Sequence, residues 1–305
     1  MNSPFLLVVL ATSITARCYC QNGIDFVVPL GSSNLDGNSF SCAGPAANQP
    51  QTIRYQQVYG ASEFATLTNF GGGWLVSIHF RGDATNGTQL GLKMPSVQVN
   101  LSTTQRGPDE LGPVFSENVG ADDAAVHSGS LETVLIGGHQ QGTETFAFEI
   151  LLFTKPFFYN PAAGNLLLDV RVFQGNTNSS GTIQPVFDAV NFTNDSIARV
   201  WSTDVNASTG LVETVGLVTD FNVWRNPKLS VQSQGNSIVF TWPANPPWIS
   251  LPETVLQTKH DIAGSAEWQS ITNGIVQGFL VNTFTIPLIS AGKEAYFRLV
   301  STAPP

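Results

Sequence analysis

The chemistry this chain could do rests on a few aromatic residues and one oxygen-rich loop. A saccharide site needs flat aromatic faces for sugar rings, with amides and carboxylates beside them for the hydroxyls. Trp248, in ANPPWISLP, is the aromatic best placed in a loop, and Trp201 and Tyr159 join it as carbohydrate-binding candidates. Against this stands the ordinary fate of large aromatics, which is to fill a sandwich core. Asp204, Asn206 and Ser208 put oxygen ligands at alternate positions, as a structural calcium site would. An EF-hand loop would need Gly and then Glu where Thr209 and Val215 stand, and an Asx turn explains the same residues.

Other reactive constellations are weak. The 4 histidines form no HExxH motif and no cluster with metal-ligand spacing. Neither a G-x-S-x-G elbow nor a Gly-rich phosphate loop occurs. A glycosidase needs two carboxyls on facing strands, roughly 5–10 Å apart. Glu149 and Asp169 are the acidic residues inside strong strand patterns. Asp169 shares a chain face with Arg171, so an ion pair on a solvated polar face is the simpler reading. Arg81-Gly82-Asp83 spells an integrin-type tripeptide but reads as the exit of a strand. No catalytic residue is expected.

The elements that must hold these residues are strands. Only 11% of the 305 residues are charged, against roughly 25% in an ordinary soluble protein, while 42% are hydrophobic. Gly and Pro are frequent, and no long window carries apolar residues at helical spacing. Period-2 runs arrive instead: Ile53–Tyr59, Trp74–Phe80, Val97–Leu101, Leu131–Ile136, Phe146–Phe153, Leu166–Phe173, Ile197–Trp201 and Leu211–Trp224. In the second of these, Trp74, Val76, Ile78 and Phe80 would face the core, with Ser77 and His79 opposite. After Asn226-Pro227 the pattern restarts with six shorter runs.

The expected fold is therefore all-β. A jelly-roll-like two-sheet sandwich (52–226) is followed by a small immunoglobulin- or fibronectin-III-like sandwich (227–305). Before them come a signal peptide (1–20), read from the apolar run Phe5–Leu10, and an extended lead-in segment (21–51). No membrane span is expected after signal removal. The net charge of −9, with basic residues spaced singly, argues against a nucleic-acid partner. No cofactor is expected beyond the structural calcium.

Four segments in order carry a resemblance: RYQQVYGASEF (54–64), NLSTTQRGPDELGPVFSENVGADDAAVHSG (100–129), PFFYNPAAGNLLLDV (156–170) and LVTDFNV (217–223). Together they resemble the ectodomain of exported bacterial proteins that carry a Pro-Glu-Pro C-terminal sorting signal (PEP-CTERM), processed by exosortases. That resemblance implies a β-sandwich associated with cell envelopes and exopolysaccharide matrix, with no catalytic residues to carry over. The chain departs from the pattern by ending in AYFRLVSTAPP, without the sorting signal. The expectation is a secreted, non-enzymatic surface or matrix protein, structural or adhesive, with weak binding to extracellular polysaccharide or other surface proteins. The alternative is a dedicated carbohydrate-binding module or a divergent glycoside hydrolase.

Overall fold

A computed structural model describes residues 23–41, 52–82, 90–135, 148–175, 187–245, 251–260, 262, 265, 267–278, 281–288 and 295–301. The chain is all-β with antiparallel sheets, and it divides into two compact units that meet in sequence at Asn226 and Pro227. The first unit holds β1 (Gly23–Val28), β2 (Ser39–Ser41), β3 (Ile53–Tyr59), β4 (Gly73–Arg81), β5 (Leu90–Thr104), β6 (Ala124–Leu135) and β7 (Phe148–Tyr159). It continues with β8 (Asn165–Gln174), β9 (Phe187–Asn191), β10 (Ile197–Ser202), β11 (Leu211–Glu213), β12 (Val215–Leu217) and β13 (Thr219–Arg225).

Three sheets result. A six-stranded sheet runs β11-β10-β3-β8-β5-β6, a four-stranded sheet β1-β13-β4-β7, and a three-stranded sheet β12-β9-β2. Alternation in β3 and β8 sends Ile53, Tyr55, Tyr59, Leu166, Leu168, Val170 and Val172 to one side. There they share a single apolar cluster with Phe26, Leu75, Ile78, Phe221 and Val223 of the four-stranded sheet. Each such side chain, fully buried, contributes about 1.5–3 kcal/mol. A 3-10 segment, Ala61–Phe70, supplies Phe64, whose ring packs 5.3 Å from Phe26, 5.2 Å from Tyr159 and 5.5 Å from Phe221. Gly71 ends that segment at φ 67, a left-handed conformation that costs glycine little.

The lead-in segment is not merely extended. Its one apolar piece, Ile24–Val28, lies in β1 and pairs with β13 across six residues, so the first sandwich begins at Gly23. A short apolar run that has one face to bury here finds a neighbour far away in sequence, which local pattern does not reveal. The long run Leu211–Trp224 is likewise divided among β11, β12 and β13, which belong to three different sheets.

Gln57 shows how the layers are joined. It alternates inward with Tyr55 and Tyr59, where its Nε2 donates to the Leu217 carbonyl (2.9 Å) and its Oε1 accepts from the Leu217 N–H (2.8 Å) and the Tyr55 hydroxyl. A side-chain amide thereby pairs with β12 as a neighbouring strand would, leaving no buried backbone group orphaned there.

The second unit holds β14 (Ser230–Gln234), β15 (Ser237–Pro243), β16 (Thr254–Lys259), β17 (Gln269–Ser270), β18 (Ile275–Gln277), β19 (Val281–Pro287) and β20 (Tyr296–Ser301). They form sheets β14-β15-β19-β18 and β17-β16-β20. Among its described residues Phe240, Trp242 and Leu256 are buried, and eight further apolar residues pack half-buried around them. Among the described residues, no helix is long and apolar enough to cross a membrane.

Candidate functional site

The outer face of the four-stranded sheet is set by a β-bulge. Between Leu75 and Ser77 the register of β4 against β13 shifts, with Val76 the extra residue on β4, and this reverses the facing of everything before it. Leu75, Ile78 and Phe80 point into the core. Trp74, expected inside by strict alternation, falls outside with Ser77 and His79.

Cross-strand rows follow from the register. Trp224, Trp74 and Phe158 are successive partners across β13, β4 and β7. The Trp74 and Phe158 rings lie 5.1 Å apart in an edge-to-face arrangement, with both tryptophans half-buried and Phe158 exposed. Gly23 stands across from Trp224, close enough that a Cβ there would touch the indole at an ordinary contact distance of 3.5 Å. The next row is polar: Asp25, Asn222 and Ser77 are partners, and the Asn222 amide donates to Asp25 Oδ1 at 2.7 Å. In the third row His79 Nδ1 and Asp220 Oδ2 are 2.9 Å apart, both largely buried. The face thus offers apolar rings beside the exposed Asp25 and half-buried Asn222, while Ser77 and Asp220 are buried within it.

The outer face of the six-stranded sheet is different. The strand pattern alone suggests a solvated polar face around Asp169 and Arg171; instead the 105–123 segment lies over it. Phe115, in the single turn α1 (Phe115–Asn118), packs with Leu111, Val58, Leu167, Ala198 and Val200 in a second small core. Asp169 is buried beneath, accepting from Arg54 Nη2 (3.1 Å) and Gln56 Nε2 (2.7 Å), while Arg171 Nε stands farther off at 3.9 Å. Asn118 Nδ2 closes the network by donating to Gln56 Oε1 (3.1 Å) and the Gly112 carbonyl (2.9 Å). The carboxylate in the strongest strand therefore anchors a covering segment. Glu149, its proposed counterpart, has its side chain outside the described residues. Burial holds the nearby Asp123 carboxyl above its ordinary value; the Asn100 amide, 2.8 Å away, pulls the other way. At the end of this face an open cleft of about 780 Å³ is lined by Gln105, Arg106, Glu110, Glu117 and neighbouring backbone. Arg106 and Glu117 face each other there at 3.8 Å, both largely exposed.

The residues singled out from sequence do not converge. Tyr159 is fully buried and donates its hydroxyl to the Gly164 carbonyl at 2.9 Å, so its ring offers no face to a sugar. Trp201 packs against the main core, with its indole N–H 2.9 Å from Glu213 Oε2. Glu213 also accepts from Arg199 Nη2 at 2.6 Å, so that indole serves a half-buried polar cluster. Trp248 lies outside the described residues. Asp204 Oδ1 accepts from the Asn206 N–H at 2.9 Å, an Asx turn, and the Ser208 carbonyl accepts from Phe115 N at 3.1 Å. Among the described residues no group of three His, Cys, Asp or Glu side chains is placed to hold a metal.

Trp74, Phe158 and Asn222 escape sequence reasoning because the bulge that exposes Trp74 leaves no mark in residue type. The Arg81 of the Arg-Gly-Asp tripeptide is 1% exposed and ion-paired with Asp188. In comparison with known proteins, no family model, no curated protein and no solved structure matches this chain.

Proposed function

We propose that this is a secreted, non-enzymatic component of a bacterial cell surface or extracellular matrix that contacts polysaccharide through the outer face of β1-β13-β4-β7. The observation that carries the reading is the aromatic row Trp224, Trp74 and Phe158 beside the exposed Asp25 and half-buried Asn222. Aromatic rings shed water onto the apolar faces of pyranoses, and amide and carboxylate groups exchange bonds with their hydroxyls. An open sheet face binds one sugar weakly, so retention on a repeating polymer comes from many simultaneous contacts. Export and a bacterial source are supported by the leader-like N-terminus and the resemblance to sorting-signal ectodomains. A jelly-roll-like first unit and an immunoglobulin-like second unit belong to the same reading.

The full chain should be retarded in gels containing neutral polysaccharide, and Trp74→Ala or Trp224→Ala should lose most of that retardation with unchanged circular dichroism. A folded chain that migrates freely in every neutral polymer tried, or tryptophan variants retarded as strongly as the wild type, would sink the proposal. The same row also favours a dedicated carbohydrate-binding module; tight binding of one defined oligosaccharide would select that reading over a structural role.

A further inference from the structure

In the second unit, β16 and β20 pair so that Gln257 lies across from Arg298 and Lys259 across from Tyr296, on the face opposite buried Leu256. Arg298 is exposed, yet it is held from two sides. Its Nε donates to Gln257 Oε1 at 3.0 Å, and its guanidinium carbon sits 4.3 Å from the centre of the Trp268 ring. Gln257 is fixed in turn by its own amide, 3.3 Å from Ser270 Oγ on β17. The terminal nitrogens Nη1 and Nη2 carry no hydrogen bond or ion pair to any described residue. A guanidinium restrained at Nε and stacked on an indole, with both Nη groups open, is a prepaid fork for a planar anion.

We propose that this face binds the carboxylate of an acidic saccharide, a uronate unit of a polysaccharide, with Arg298 gripping the carboxylate through Nη1 and Nη2. Two neighbours favour a sugar as the bearer of that anion. The half-buried Trp268 and Tyr296 supply apolar edges for a ring, and Ser270 supplies a hydroxyl at its side. In a chain of net charge −9 an acidic polymer is repelled at long range, so its capture must come from a local, oriented contact rather than from bulk charge. The site is separate from the aromatic row of the first unit and does not depend on it.

Affinity electrophoresis of the full chain in polygalacturonate, against neutral dextran and oligoglutamate controls, tests the idea. Retardation by polygalacturonate is expected, with a loss of about tenfold in apparent affinity for Arg298→Gln, the worth of a charge-assisted bidentate contact. Arg298→Lys should lose nearly as much, because a point charge cannot form the fork. Wild-type mobility unchanged by polygalacturonate would overturn the proposal. So would Arg298→Gln binding as the wild type does, full binding by Arg298→Lys, or equal retardation by oligoglutamate. A neutral-polymer result, positive or negative, bears only on the first unit.

Discussion

Replacing Arg81 by methionine tests how much the first unit depends on one buried ion pair. Arg81 Nε donates to Asp188 Oδ2 at 2.6 Å, and Nη2 reaches the same carboxylate. Nη1 donates to the Ser32 carbonyl at 2.6 Å and Nη2 to the Leu35 carbonyl at 2.7 Å, so one side chain pins the chain between β1 and β2 onto β4 and β9. Burial lowers the Arg81 guanidinium from its ordinary value and raises the Asp188 carboxyl; each partner's charge opposes the shift in the other. Methionine keeps most of the packing of the stem but leaves Asp188, 3% exposed, with the Gly37 N–H at 2.9 Å as its remaining donor. Removing one member of such a pair costs about 3–5 kcal/mol, a large share of the roughly 5–15 kcal/mol that holds a domain folded. At roughly 2–4 °C per kcal/mol for a unit of this size, the melting temperature should fall by roughly 6–20 °C. Calorimetry separates the two units' transitions, and urea unfolding followed by tryptophan fluorescence gives the free energy. The double variant Arg81→Met with Asp188→Leu strands neither charge and should be more stable than the sum of the two single losses predicts. A loss below about 1 kcal/mol for Arg81→Met, or strict additivity in the double variant, would refute the reasoning.

The remaining predictions concern acidity and backbone space. Burial raises the carboxyls of Asp123, Asp188 and Asp195 above their ordinary value. The native state therefore holds these protons after the unfolded chain has released them, and their contribution to stability falls as pH rises from about 4 through the raised values. Asp195→Asn keeps an acceptor for the Ile197 N–H, 3.0 Å away, and should flatten the slope of unfolding free energy against pH across that window; parallel slopes for variant and wild type would contradict this. Gly120 lies near the end of the covering segment, where a Cβ would stand 1.9 Å from the Thr103 carbonyl oxygen. Gly120→Ala should cost about 2 kcal/mol or more and open the 105–123 segment to protease, whereas an unchanged denaturation midpoint and digestion pattern would show the segment tolerates the shift.

Much of the fold was legible because a strand with one face in a core must alternate. The runs in β3, β8 and β10 announced themselves that way, and the restart after Asn226-Pro227 marked a second unit. The face of a strand, however, says nothing about what covers its polar side. Asp169 and Arg171 read as a solvated pair, and the covering role of 105–123 comes from Phe115 and Asn118, a side chain and an amide that only the folded chain brings over β3. Alternation also fails wherever a bulge adds a residue, which is why Trp74 changes sides and the aromatic row went unseen.

By itself, then, the sequence determined an all-β chain of low charge, the positions of most strands and the division near Asn226, because composition and period 2 are local properties. Tertiary structure decided which aromatics are presented and which are spent. Trp201 and Tyr159 are drawn inward by the hydrogen bonds of Glu213 and Gly164, and Trp74 is turned outward by register. It also decided that Arg298, one of many isolated basic residues, sits stacked and oriented on a sheet face. Those outcomes depend on partners distant in sequence, and pairing between distant strands is settled by the whole set of sheets at once.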